Sequence, residues 1–353
     1  MKISTLVADP SRSEALSTAR AQRVAQLVTE TQMRWPAFFN RTTGTSMKVA
    51  TSTRSNLKFV AERRPYDTRG IEMPRDFGSI TEMLHLPIQA RVTYGEEDIQ
   101  ILGLPEDAAI AALGLGFDDN LDGLAIADAR RLEMDLLRLW HSGDIVAKNF
   151  ATKAIALVSV GVDAERYETA TTPLDDGAVN AWEEVAAFAR NWNGDFALGG
   201  FYTSGKDMEV IRADAPTNLI TGQPLGDAEL GQLMASTIGS PGFRFVTDDR
   251  RFDVSAAAPD NVRTGTSKER VWPVGKLAAI PAAGSVGEAR FVPVTRASDL
   301  SGVVGAGKAR RDDVTVVYVT NDDDTSLEVQ AQLNVAPDLY GESVAVLNTG
   351  VTA

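Results

Sequence analysis

Hydrophobic residues recur at helical spacing in one long stretch of the chain, GLGFDDNLDGLAIADARRLEMDLLRLWHSGD. Leucine, alanine and tryptophan return there every three or four positions, which places them on one face of a helix. Asn120 or Asp122 can cap the start of this helix, and Gly143 can end it. The spacing therefore predicts a long helix over residues 121–142.

Shorter apolar patterns predict two more helices and a series of strands. Ala178–Trp192 has Trp182, Val185, Phe188 and Ala189 on one side, and Asp227–Thr237 has a similar helical period. Runs of branched and aromatic residues predict the strands. These runs are FALGGFYTS (196–204), FRFVT (243–247), VWPVGKLAAIPAA (271–283), VTVVYVT (314–320) and the alternating TSLEVQAQLNVAPDLYGESVAVLN (325–348). The order of elements predicts a mixed α+β chain.

The front of the chain has little to bury. Ser11–Glu30 has helical composition but only a thin apolar stripe, as expected for a terminal arm. In 41–91, serine, threonine and arginine alternate with apolar residues, and KFVAERRPYDTRGIEMPRDF predicts two strands around a turn. Because a long hairpin with a thin core is marginal alone, we expect this segment to lie on another surface.

Charge separates this front segment from the rest of the molecule. The whole chain has a net charge of −13. Residues 41–75 hold eight basic and three acidic side chains, a net charge of +5, so the remainder carries −18. The acidic body should repel nucleic acid and anionic membranes. The basic segment fits either a nucleic-acid arm or an arm that docks on an acidic copy of the same protein.

Composition excludes several classes of site. The chain is 353 residues long and 44% hydrophobic, enough for one large or two modest domains with a real core. It has no cysteine, which excludes disulfides, thiolate metal sites and cysteine nucleophiles. The N-terminus lacks the apolar core of a signal peptide, and no apolar run approaches the eighteen residues of a membrane span.

The stretch GVVGAGKA, Gly302–Ala309, nearly matches a phosphate-binding loop. Ala309 stands where the motif has a magnesium-binding hydroxyl. Such a loop follows a buried strand and opens a helix, whereas RASDLS precedes this one and a strand follows it. We therefore interpret it as a glycine-rich surface loop whose charged end can meet a neighbouring subunit.

The remaining candidate sites are also better explained by structure than by chemistry. DDNLDG (118–123) matches half of a calcium loop, but Ala129 occupies the position of the bidentate glutamate, so we favour a helix cap. His85 and His141 lack metal-ligand spacing, and His141 suits a helix C-terminus as a cation. NDDDT (321–325) fits a cation site, a solvated turn or a contact with a neighbour's basic arm. We predict no catalytic residue, cofactor or metal.

The order of elements resembles the major capsid proteins of tailed bacteriophages, in the lambda-like branch with the Hong Kong 97-type fold. TSMKVATSTRSNLKFVAERRPYDTRGIEMPRDFGSITEMLHLPIQARVTYGEEDI is similar to the extended loop of that branch. DGLAIADARRLEMDLLRLWHSG is similar to its spine helix and KAIALVSVGVDAERYETATTP to the hairpin that follows. AVNAWEEVAAFARNWNGDFALGGFYTSGKDMEVI resembles the start of the axial domain, and NVAPDLYGESVAVLNT the closing strand segment.

The resemblance implies a domain organisation. Residues 1–38 would be the N-terminal arm and 39–92 the extended loop. The peripheral domain would comprise 93–174 and 314–353, including the spine helix at 121–142. The axial domain and its connecting loops would span 175–313.

The resemblance also implies a function. Copies would assemble as pentamers and hexamers into an icosahedral shell around double-stranded DNA, in the host cytoplasm and then in the virion. Partners would be the chain itself, a portal and, where present, a decoration protein. Since about forty residues precede the loop, we expect a separate scaffolding protein. Lys48 and Lys58 lie in the loop, but the sequence identifies no partner for them, and we predict no crosslinks.

Basic side chains are the predicted subunit-interface residues, because the extended loop would lie across an acidic neighbour. They are Arg41, Lys48, Arg54, Lys58, Arg63, Arg64, Arg69, Arg75, Lys308, Arg310 and Arg311. Two alternatives stay open at this point. One is a nucleotide-binding enzyme using Gly302–Lys308, and the other is a nucleic-acid-binding protein using residues 41–75.

Overall fold

A computed structural model describes the main elements of the chain. It covers residues 33–44, 48–53, 79–84, 86–94, 106–148, 155–159, 162, 164–192, 197–218, 222–255, 266–291, 309–311, 315–322 and 327–352. These residues belong to two compact units. Unit 1 comprises Met1–Val49, Leu84–Leu136 and Ala289–Pro337, and unit 2 comprises Ala50–Met83, Leu137–Glu288 and Asp338–Ala353. The predicted arm at Ser11–Glu30 and most of the predicted loop hairpin lie outside the described residues.

The described elements mix helices and strands throughout. The helices are α1 (Glu106–Ser142), α2 (Ala181–Trp192), α3 (Gly205–Asp214) and α4 (Asp227–Ile238), with short 3-10 helices at Trp35–Ala37, Ala164–Arg166 and Gly341–Ser343. The strands are β1 (Phe39–Thr43), β2 (Lys48–Thr53), β3 (Ser79–Leu84), β4 (Leu86–Tyr94), β5 (Asp144–Lys148), β6 (Ile155–Ser159), β7 (Tyr167–Thr169), β8 (Leu198–Thr203), β9 (Arg244–Thr247), β10 (Arg251–Ser255), β11 (Thr266–Arg270), β12 (Lys276–Pro281), β13 (Gly287–Phe291), β14 (Ala309–Arg311), β15 (Thr315–Asp322), β16 (Leu327–Leu339) and β17 (Val346–Asn348).

Helix α1 is longer than the pattern predicted. It ends as expected, because Gly143 adopts a left-handed φ of 74° and its N–H bonds to the carbonyl of Leu139 at 2.8 Å. It begins at Glu106 rather than at residue 121, so DDNLDG lies inside a continuous helix. The predicted helix cap at these residues is therefore wrong. Aspartate, asparagine and single glycines each cost a helix interior only about 0.5–1 kcal/mol, which a 37-residue hydrogen-bond ladder can absorb.

The larger sheet is built on β16. Its order is β1-β13-β16-β15-β14, and β4 also pairs with β16. Strands β4 and β16 run antiparallel from the pair Leu327–Tyr94 to the pair Val335–Leu86. Three further strand pairs form separate two-stranded ribbons, β2-β3, β5-β6 and β10-β11.

The second sheet forms the core of unit 2, with the order β7-β17-β12-β8-β9. Phe201, Leu277 and Leu347 lie on one face and join a hydrophobic cluster with buried residues of α2, α3 and α4. On α2 this cluster includes Trp182, Val185, Phe188 and Ala189, so the predicted apolar side of that helix is confirmed.

The opposite face of this sheet carries aromatic residues. Tyr202 packs against Trp272 at 4.7 Å between ring centroids and against Trp140 at 5.4 Å. Trp140 belongs to the last turn of α1, so the end of that helix covers this face. The sheet of unit 2 is thus buried on both sides.

Candidate assembly surface

A buried glutamate anchors the chain just before the basic segment begins. Glu133 of α1 is 0% exposed, and its carboxylate accepts the backbone N–H of Arg34 at 2.9 Å and that of Trp35 at 3.0 Å. These two amides open a short 3-10 helix, where N–H groups lack partners within the helix. A carboxylate satisfies such donors and is favoured by their partial positive charge. The start of the basic segment is therefore fixed to α1 within unit 1.

Aromatic packing holds the next residues. Trp35, Phe38 and Phe39 are buried, and the ring of Trp35 lies 6.1 Å from that of Phe291 on β13. Strand β1 pairs with β13, and the N–H of Gly44 donates to the carbonyl of Phe291 at 2.8 Å. Hydrogen bonds and aromatic packing thus hold residues 34–44 in place, and the chain continues from them into the basic segment. We call residues 34–44 the loop root.

Arg41 is the predicted interface residue that the structure describes most fully. It is exposed on β1, and its guanidinium carbon lies 5.1 Å from the centroid of the Phe291 ring. A cation in this position is attracted by the ring face. Arg41 therefore presents a positively charged group on the surface of the loop root.

Only three of the other predicted interface residues lie within the described part of the chain. Lys48 is the first residue of β2, and Arg310 and Arg311 lie on β14, where they pair with Val316 and Thr315 of β15. The rest lie outside the described residues and stay predictions. These are Arg54, Lys58, Arg63, Arg64, Arg69, Arg75 and Lys308.

The structure tests the phosphate-loop interpretation at its C-terminal end. Ala309 begins strand β14, which runs antiparallel to β15. A phosphate-binding loop continues into a helix whose N-terminal amides hold the phosphates. A strand at this position cannot supply those amides, so the near-match to the motif is not a phosphate-binding loop of that kind.

Two buried carboxylates in unit 2 were not singled out from the sequence. Asp207 accepts hydrogen bonds from the hydroxyls of Ser204 and Thr349, both at 2.5 Å, and from the N–H of Gly275 at 2.9 Å. Burial raises its pKa against the opposing effect of these bonds. The spacing S-x-x-D from Ser204 to Asp207 is a capping-box signature and is the sequence signal for this group. Asp207 joins the start of α3 to the C-terminal segment.

Asp248 is the second buried carboxylate. It accepts the hydroxyl of Tyr202 and the guanidinium of Arg250, with Nη2 at 2.6 Å and Nε at 2.9 Å. Burial alone would raise its pKa, but the bonds from Arg250 and Tyr202 outweigh burial and lower it. Arg250 lies two residues from Asp248, whereas Tyr202 lies 46 residues away and no local pattern indicates it. Both carboxylates have the satisfied surroundings of structural groups.

Burial shifts the pKa of two more ionisable side chains, His141 and Asp128. Burial, with the nearby charges of Lys276 and Arg138, lowers the pKa of His141 to about 3. The proposed cationic role of His141 at the helix end is therefore wrong, because the folded chain holds it neutral. Asp128 is buried on α1, and within the part of the chain that the structure describes neither of its oxygens has a hydrogen-bond partner, so burial raises its pKa well above the usual value.

The described residues contain neither a cluster of metal ligands nor a helix able to span a membrane. No three His, Asp or Glu side chains there are grouped closely enough to hold a metal ion. None of the helices described is both long and apolar enough to cross a membrane. The geometry that stands out is the anchored loop root and its exposed arginine.

Comparisons with known proteins match the fold rather than the sequence. No protein-family model and no curated protein sequence matches the chain. The chain is similar to a protein assigned as the capsid protein of a prophage in E. coli CFT073, with 9% identity and a TM-score of 0.51 over 89% of this chain and 91% of that one. It is also similar to a phage-related protein from Bordetella bronchiseptica (11% identity, TM-score 0.49, 96% of each chain) and to a virus-like particle from Pyrococcus furiosus (6%, 0.44, 93% of this chain and 98% of that one).

The similarity to the E. coli protein defines the class of fold. At 9% identity it shows shared architecture, and it covers nearly all of both chains. The α+β capsid fold of the Hong Kong 97 type, predicted from the order of elements, is confirmed. The assignment to the lambda-like branch stays a prediction, as do the boundaries of the peripheral and axial domains.

Proposed function

We propose that this chain is the major capsid protein of a tailed phage. Copies assemble as pentamers and hexamers into an icosahedral shell that encloses double-stranded DNA, and the role of the chain is structural rather than enzymatic. The observation that carries the proposal is the capsid fold, shared along almost the whole chain with a prophage protein assigned to that role. The loop root supports it, because it fixes the base of a basic segment that has little core of its own.

The charge distribution supports an interface role for the basic segment. Residues 41–75 carry +5 and the remainder of each copy carries −18, so the segment of one copy is complementary to the body of the next. Individual exposed ion pairs contribute only about 0.2–1 kcal/mol each, but many of them across one interface set its register and partner choice. The same acidic body suits the inner wall of a shell, because a negatively charged surface does not bind the packed DNA tightly.

Assembly of purified protein tests the proposal directly. The full chain is expressed with and without candidate scaffolding proteins, and particles are sought by electron microscopy and light scattering. Closed shells are the expected result. A compact monomer under every condition would contradict a capsid role. Scaffolding, portal and decoration proteins belong to the proposal as partners and are tested by co-purification with the shells.

Charge reversal tests the basic segment. Arg63→Glu together with Arg64→Glu should block shell formation while leaving soluble subunits, because it replaces attraction by repulsion at the interface. The matched control is Arg190→Glu with Arg244→Glu, which makes the same change in net charge at two exposed positions of unit 2. Equal loss of assembly in both double variants would attribute the defect to net charge and contradict the interface role.

A further inference from the structure

Basic side chains, among them the neutral imidazole of His141, gather at the C-terminal end of α1 in unit 2. Arg138 and His141 are three residues apart and therefore share one face of the last helical turn. The ring of His141 meets that of Trp272 edge-on at 5.2 Å, and the indole N–H of Trp272 donates to the carbonyl of Lys276 at 2.9 Å. Lys276 donates in turn to the side-chain oxygen of Asn348. These contacts place His141 beside Trp272, which is hydrogen-bonded to the backbone of Lys276, and on the same helical turn as Arg138.

Some buried hydrogen-bonding atoms in this cluster have no partner among the described residues. They are Nε of Arg138, Nδ1 of His141 and the hydroxyl of Tyr167. The Tyr167 hydroxyl lies against the backbone of Gly143, where a Cβ atom would come within 3.0 Å of it. Buried polar groups are normally satisfied, so unsatisfied atoms on Arg138, His141 and Tyr167 make this end of α1 unusually polar for a buried region.

Among the described residues, neither Arg138 nor Lys276 forms an ion pair with an acidic side chain. Both lower the pKa of the neighbouring His141, and burial lowers that of Lys276 itself. Asp144 acts on Tyr167 and reinforces the effect of burial in raising the pKa of that hydroxyl. Arg138, His141 and Lys276 are each partly exposed, so part of each side chain reaches solvent.

We propose that Arg138, His141 and Lys276 form an anion-binding site that takes the carboxylate of an acidic side chain from a second copy of this chain. A carboxylate would bond to the solvent-exposed parts of the Arg138 and Lys276 side chains and neutralise part of their positive charge in one contact. The identity of the occupant depends on the proposed self-assembly, whereas the ability of the site to bind an anion does not.

Charge complementarity favours a carboxylate of a second copy over a nucleic-acid phosphate. The chain has 48 acidic and 35 basic residues, so every copy presents carboxylates in excess. Glu183 and Glu184, for example, are exposed on the first turn of α2. A polyanion approaching the acidic body is repelled over a longer range than one side chain within an interface. The half-buried position of the cluster also suits a single side chain better than a duplex backbone.

Histidine resonances allow binding at this site to be measured without assembly. The chain has only two histidines, so the signal of His141 can be assigned by comparing ¹³C-histidine spectra of the wild type and His85→Gln. Soluble full-length protein is titrated with sodium acetate at pH 6.5, with sodium chloride at equal ionic strength as the control. We expect a saturable shift of the His141 signal with acetate only. In Arg138→Gln/Lys276→Gln the affinity should fall at least tenfold. A shift equal to that in chloride, or one that persists in the double variant, would overturn the site.

Assembly identifies the occupant. Arg138→Gln/Lys276→Gln should reduce the yield of shells at a fixed protein concentration, while the matched control Arg190→Gln/Arg244→Gln leaves it unchanged. Acetate binding together with wild-type assembly of the first double variant would refute a carboxylate of a second copy, as would a His141 shift produced by duplex DNA and not by acetate. If even the wild type fails to form shells, the proposed function fails, while the acetate titration still decides whether the site exists.

Discussion

The buried carboxylate of Glu133 offers a direct test of how the loop root is held. Replacing it by alanine removes the acceptor of two backbone N–H groups, those of Arg34 and Trp35. The Trp35 amide is buried, so leaving it unsatisfied should cost about 1–3 kcal/mol. The Arg34 amide is part-buried and water can replace its bond, so its loss should cost about 0.5–1.5 kcal/mol. Together these losses predict about 2–4 kcal/mol.

Hydrogen exchange measures this loss where it occurs. Peptides that cover residues 33–44 are followed by mass spectrometry in the full-length protein. Because each 1.4 kcal/mol is a factor of ten, Glu133→Ala should speed exchange in this region by about 30- to 1,000-fold. Glu133→Gln keeps one acceptor oxygen and loses only the charge, so its effect should be about 1 kcal/mol. Exchange at residues 33–44 should therefore be fastest in Glu133→Ala, slower in Glu133→Gln and slowest in the wild type.

A matched variant separates this effect from the general loss of a helical glutamate. Glu209 is exposed in the interior of α3, and Glu209→Ala should change stability by no more than about 0.5 kcal/mol. The reasoning is refuted if Glu133→Ala leaves exchange at residues 33–44 unchanged, or if Glu133→Ala and Glu133→Gln behave alike. If the loop root matters for assembly, Glu133→Ala should also lower the yield of shells from subunits that are still soluble.

Three further predictions concern buried positions. Burial raises the pKa of Asp128, so the folded chain keeps its proton when the unfolded chain ionises, and stability falls as pH rises above about 4. Asp128→Asn should therefore become progressively more stable than the wild type between pH 4 and 8 in thermal unfolding, and a constant difference would contradict this. Gly200→Ala would place a Cβ 2.1 Å from the carbonyl oxygen of Arg244, so denaturant unfolding should show a loss of at least about 2 kcal/mol. Asp207→Ala removes the acceptor of three hydrogen bonds and should cost about 3–5 kcal/mol, whereas a loss below about 1 kcal/mol would show that the network is dispensable.

Elements with a strong local period could be predicted from the sequence. Helices α2 and α4 and the strands of the unit 2 sheet lie where the apolar patterns place them, because each pattern reflects burial of one face. The start of α1 could not be predicted in this way. Its first turns contain glycine, asparagine and aspartate, which locally favour caps and turns, and the long helix overrides these weak preferences.

The polar groups of the fold were harder to foresee, because their partners are distant in sequence. Glu133 lies 98 residues from Trp35, and Asp207 lies 142 residues from Thr349. The sequence around Trp35 or Thr349 gives no sign of a polar contact, and only the fold brings each of them to its carboxylate. The S-x-x-D spacing before α3 is the exception, since both members of that contact lie in one helical turn.

Charge along the sequence distinguishes the basic segment from the rest of the chain. The three-dimensional structure then separates exposed basic residues from those that serve folding. Arg41 is exposed and held over an aromatic ring, as expected of a group on an interaction surface. Arg250 is committed to a buried carboxylate and therefore contributes to folding. Arg138 and Lys276 fit neither description, because they are partly buried and have no acidic partner among the described residues. An uncompensated pair of this kind is costly to a free subunit, and a second copy that supplies the carboxylate would turn this cost into a preference for the assembled state.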